Sequence, residues 1–119
     1  MVKIRSEIAN IVARYVRDLE AQDIRVEKAY LFGSQLRGEA NEWSDIDVVV
    51  VSPDFSGMEF WELPPMTGLA RYQTYKATGE SVEALATTPE DIASAHPASF
   101  LAHVLKDAVV VYERAPAVA

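Results

Sequence analysis

Residues 30–51, YLFGSQLRGEANEWSDIDVVVV, decide how this chain folds. The apolar run Tyr30-Leu31-Phe32 stops at Gly33-Ser34. Ten residues later the chain returns through Asp45-Ile46-Asp47 into Val48–Val51. The second run is β-branched and wholly apolar after Asp47, the pattern of a central strand buried on both faces, and Pro53 ends it. Lys28–Phe32 reads as a shorter strand stopped by Gly33. Two strands joined through a glycine turn therefore form the centre of the fold.

The turn and the carboxylates have a chemistry in common. Glycine reaches φ values closed to other residues and lets the backbone approach a ligand closely. A helical turn opening at Ser34 would offer unpaired N–H groups and a hydroxyl to an anion. Asp45 and Asp47 are two residues apart, so in a strand both side chains leave the same face. Adjacent carboxylates repel and raise each other's pKa, whereas Mg²⁺ joins them in an oxygen cage that also takes phosphate oxygens. Phosphate turn plus paired carboxylates points to nucleotidyl transfer, an in-line displacement at the α-phosphorus in which two metals about 3.5–4 Å apart stabilise attacking and leaving oxygens. Glu83 is the expected third carboxylate. In SVEALA, Val82 and Ala84 would face one side and Glu83 and Leu85 the other, which places a Glu among apolar residues. The competing reading is a solvated Glu on an edge strand.

Outward from this centre, Ile4, Ile8, Ile11, Val12, Tyr15, Val16 and Leu19 recur at helical spacing and predict an amphipathic helix over 3–22. Gln35–Arg37 predicts a short helix, 54–65 a loop, Met66–Ala77 a helix stopped by Gly79, and Ser81–Thr87 a strand. Thr88 and Pro89 mark a helix start, a further helix is expected over 98–107, and Ala108–Tyr112 is the last strand. This order predicts an α/β (α+β) fold of one small mixed sheet flanked by helices, in a single domain over 1–119. Phe55, Phe60 and Trp61 could cover the base or bind a partner, with core packing of at least two of them favoured. Arg71 and Lys76, flanking Tyr72 and Tyr75, could touch nucleotide or a partner, although a solvated helix face is favoured, and His96 and His103 read as structural residues on one helix.

The composition narrows the partners. The 119 residues are 50% apolar and 24% charged, with net charge −7, which argues against a clustered basic surface for nucleic acid. With no cysteine, metal ligation falls to oxygen or imidazole. No apolar run approaches the length of a membrane span and the N-terminus lacks a signal-peptide pattern, so a cytoplasmic location is expected.

With these residues in place, the chain resembles the minimal nucleotidyltransferases of the DNA polymerase β superfamily, whose signature is Gly-Ser, about ten residues, then Asp-x-Asp. Gly33, Ser34, Asp45 and Asp47 meet it, with Phe32, Arg37, Gly38 and Ser44 as matching neighbours. The resemblance implies the nucleotidyltransferase fold and ATP or another NTP as donor. It implies two Mg²⁺ ions on Asp45, Asp47 and Glu83, with Gly33, Ser34, Arg37 and Ser44 at the nucleotide. The family's third acidic residue is usually Asp, so Glu83 departs from the pattern by one methylene. Members of this size are often encoded beside a HEPN-type ribonuclease, and some act as its antitoxin by transferring AMP to a tyrosine of that partner. Two alternatives stand beside this reading: a catalytically silent antitoxin acting by occlusion, and transfer to a small molecule such as an aminoglycoside by a homo-oligomer.

Overall fold

A computed structural model describes residues 6–37 and 45–115. The strands are β1 (Lys28–Phe32), β2 (Ile46–Val51), β3 (Val82–Thr87) and β4 (Val109–Glu113). They form one sheet in the order β3-β2-β1-β4. β1 runs antiparallel to both β2 and β4, and β2 runs parallel to β3. The helices are α1 (Ser6–Glu20), α2 (Ser34–Arg37), α3 (Leu63–Thr78), α4 (Pro89–Ala93) and α5 (Phe100–Asp107), with a 3-10 turn at Pro53–Gly57. Parallel neighbours need a crossover connection, and α3 supplies the one between β2 and β3.

The α1 stripe folds as its spacing requires. Ile8, Val12, Tyr15, Val16 and Leu19 are all buried, and they pack with α3 against the sheet face made by Ala29, Leu31, Ile46, Val48, Val50 and Val82. Each such side chain taken out of water contributes about 1.5–3 kcal/mol. Between the two helices, the Asp18 carboxylate accepts from Thr74 Oγ1 at 2.9 Å and from Arg14 Nε at 3.1 Å, while Gln22 Nε2 donates to the Met66 carbonyl at 3.0 Å. A buried acid is tolerated here because its oxygens are occupied.

The opposite face carries a smaller cluster in which Val49 and Val51 meet Val104, with Tyr30, Phe32, Leu85, Leu101 and Leu105 around them. β2 is therefore buried on both sides, as its unbroken Val run predicts. Side chains on this face share it with Asp47, because Asp47, Val49 and Val51 alternate with Val48 and Val50.

Several boundaries differ from expectation. α3 begins at Leu63, three residues before Met66, because Pro64 and Pro65 fall in the first turn, where no helical partner for N–H is required. It stops at Gly79 with φ +77°, as expected. α1 is Ser6–Glu20 among the described residues, and β4 is shifted on by one residue. Thr88 and Ser99 cap α4 and α5 through their hydroxyls, which accept the Asp91 and Ala102 N–H groups. His96 lies in the loop between these helices, where its Nδ1 accepts the Ala98 N–H, and only His103 is helical. Of the three loop aromatics, Phe55 is core, whereas Phe60 and Trp61 are exposed. Among the described residues no helix is long and apolar enough to cross a membrane.

Burial pushes the Tyr15 phenol well above its ordinary value, with the Arg71 charge acting weakly in the other direction. A raised folded-state value means that stability is kept below the unfolded-state pKa, near 10, and lost as pH climbs above it. Urea melts at neutral pH and near pH 11 should therefore show wild type losing more stability than Tyr15→Phe. Equal losses would place the phenol in water.

Candidate active site

The site forms where β1 ends and β2 begins. Gly33 has φ +80°, in the left-handed region, and its carbonyl accepts the Leu36 N–H at 3.2 Å as α2 opens. This turn lies directly on Asp47. A Cβ at Gly33 would collide with Asp47 Oδ2 and sit 3.1 Å from Asp47 Cγ. Glycine is required twice at one position, for its φ and for the absence of a side chain. Ser34 is the first residue of α2, so its N–H has no partner within the helix.

Sheet register brings the other acids alongside. Asp47 is paired with Phe32 on β1 and with Glu83 on β3. In-register residues of neighbouring strands share a face, so Asp47 and Glu83 emerge side by side. Glu83 is exposed on an edge strand. Asp45 precedes β2, and its Oδ2 accepts from Arg71 Nη2 at 3.2 Å. The same guanidinium donates through Nε to Ser81 Oγ at 2.7 Å, and Ser81 in turn accepts the Ile46 N–H through its carbonyl. Arg71 thus links α3 to the start of both β2 and β3. Among the described residues, no three Asp, Glu or His side chains close on a common point.

The donor chemistry of Asp45 and Asp47 nevertheless suits a hard cation. Mg²⁺ is commonly bound by one or two carboxylates, with water and substrate phosphate filling the remaining positions. Both acids lie at the start of β2, and Asp47 adjoins the turn whose N–H groups suit phosphate. A cleft of about 370 Å³ opens beside that turn, lined by Phe32, Gly33, Leu36, Phe100, His103, Val104 and Asp107. A second, of about 250 Å³, reaches from Arg71 and Glu83 down to Tyr15.

The family model described as nucleotidyltransferase domain matches residues 9–114. The chain belongs to the nucleotidyltransferase domain family. It is 37% identical over 65 residues to the "Putative protein adenylyltransferase MJ1215" of Methanocaldococcus jannaschii, an alignment covering 52% of this chain and 72% of that protein. The fold is shared with a nucleotidyltransferase of Sulfolobus solfataricus, also described as putative, at TM-score 0.59 and 19% identity over 91% of this chain and 82% of the other. It is shared too with a chain of a toxin–antitoxin complex crystallised with AMP-PNP, at TM-score 0.56 and 21% identity over 89% and 73%.

In this nucleotidyltransferase, the Gly33 turn and Glu83 flank Asp47, Ser34 opens α2, and Asp45 is turned toward Arg71. Arg37 is the last residue of α2, and Ser44 and Gly38 lie outside the described residues. Sequence reasoning missed the role of Arg71, which reads as one more solvated helical cation. Nothing in a separation of 26 residues signals its bond to Asp45. Lys76 does stand as expected on the exposed side of α3, over the Tyr72 ring.

Gly33→Ala should lower stability by about 1–3 kcal/mol through left-handed strain and displacement of Asp47. Gly79→Ala, with similar φ but open space around its Cβ position, gives the strain alone. Chemical denaturation should find the first substitution costlier than the second.

Proposed function

We propose that this nucleotidyltransferase transfers a nucleoside monophosphate, AMP from ATP, to a hydroxyl group on a partner protein. The observation carrying the proposal is the contact between the Gly33 turn and Asp47, which sets a phosphate-binding backbone against a metal-binding carboxylate. The partner hydroxyl attacks the α-phosphorus, its oxygen forms the new P–O bond, the bond to the bridging oxygen breaks, and pyrophosphate leaves. The hydroxyl proton passes to solvent or to a nearby carboxylate.

Asp45 and Asp47 are the residues that would hold Mg²⁺, with Glu83 beside them. The ion when bound would neutralise phosphate charge and orient the reacting groups. The chain's own part is positioning. Gly33 and Ser34 would present N–H groups to the phosphates, the family pattern adds Arg37 and Ser44 at the nucleotide, and the cleft beside Gly33 is wide enough for part of a nucleoside. Protein as acceptor is supported by the description of the M. jannaschii relative. A HEPN-type toxin as that protein follows the family resemblance, and the toxin–antitoxin partnership of one structural neighbour supports a protein partner.

A second reading rests on the Asp45–Arg71 pair and on the absence of a closed three-carboxylate group among the described residues. In it the chain neutralises its partner by occlusion without chemistry. ATP labelled at the α-phosphate, incubated with Mg²⁺, this protein and the product of the adjacent gene, separates the two. Transfer should label the partner, and Asp47→Ala should reduce labelling roughly a hundredfold or more, as losing several kcal/mol of charge stabilisation demands. An unlabelled partner that Asp47→Ala still neutralises would establish occlusion.

A further inference from the structure

Away from the site, exposed apolar side chains gather on one side of α3. Phe60, Trp61, Leu69, Tyr72 and Tyr75 are between 45% and 80% exposed, while Ala70 and Thr74 bury the opposite side of the helix. The Phe60 and Trp61 rings meet edge to face at 5.3 Å just before the helix starts. A cluster of large aromatic groups in water marks an interface, since aromatic residues are enriched at interfaces.

The charges on this stripe say what covers it. Glu62, Leu69 and Lys76 are spaced at seven-residue intervals, two helical turns each, so they lie in one line along the helix. The acid stands at one end, the base at the other, and Leu69 midway. Each charge is held locally: Glu62 Oε2 accepts the Glu59 N–H at 3.0 Å, and the Lys76 ammonium sits 5.6 Å from the Tyr72 ring centroid. A two-fold axis through Leu69 sets α3 antiparallel to its copy, Leu69 against Leu69, with each Glu62 facing a Lys76. A parallel arrangement would set like charges together. Such self-complementarity is what an isologous dimer needs, and a different protein has no reason to require it. A net charge of −7 also argues against an acidic membrane surface as the occupant.

We infer that the exposed face of α3 is the dimer interface of this protein, with α3 packed antiparallel on α3 of a second copy around Leu69. Sedimentation velocity on the full chain over a wide concentration range tests it. A dimer is expected, and Leu69→Glu should raise its dissociation constant about tenfold or more, the factor set by roughly 1.4 kcal/mol. Leu69 is exposed and outside the candidate site, and circular dichroism checks that the variant remains folded. Glu62→Lys and Lys76→Glu should each weaken the dimer, and the double variant should regain most of the loss by restoring opposite charges across the axis. A monomer at every concentration, a dimer indifferent to Leu69→Glu, or a double variant no better than its parents would each overturn the inference. The first of these results would leave the stripe to a different partner.

Discussion

A missing side chain is the constraint on which this structure depends. Gly33 has no Cβ, so the turn after β1 can lie on the Asp47 carboxylate with φ +80°. Any other residue would both strain the backbone and push the acid away. The position couples the fold to the candidate site: the turn that sends the chain from β1 into α2 also lies against the Asp47 carboxylate.

The sheet order extends that coupling. Placing β2 between β1 and β3 gives Asp47 a neighbour on each side, the Gly33 turn through Phe32 and Glu83 through the parallel pair. The core on the α1/α3 face holds β2 rigidly from behind. Asp45, just outside the strand, is steadied instead by Arg71, which also binds Ser81. That ion pair is partly exposed, so its energetic worth is small and its effect is chiefly on direction. Cation binding at Asp45 would compete with Arg71 for the same oxygen.

Much of this was legible in the sequence for physical reasons. A Val run without polar interruption has one stable place, the centre of a sheet covered on both faces, and β2 occupies it. The spacing of Ile8, Val12, Tyr15 and Leu19 admits one helical face. Gly33 declared itself because a left-handed turn pressed against a neighbouring side chain favours glycine. What escaped was set by tertiary geometry. Local rules treat Pro64 and Pro65 as helix breakers, although the first turn of α3 accommodates both. Aromatic character suggested burial for Phe60 and Trp61, but the core was already filled from α1 and β2. Arg71 met Asp45 only through the path of the crossover helix, which short-range spacing cannot report.

The central claim is that the Gly33 turn and Asp47 form one binding locus for metal and triphosphate. Mn²⁺ with a non-hydrolysable ATP analogue, titrated into isotope-labelled protein and followed by amide NMR, tests this most directly, because the paramagnetic ion broadens signals according to distance. The account predicts that signals of Gly33, Ser34, Gln35 and Asp47 disappear first, and that Asp47→Asn abolishes the effect. Selective broadening elsewhere, or broadening unchanged by that substitution, would contradict it.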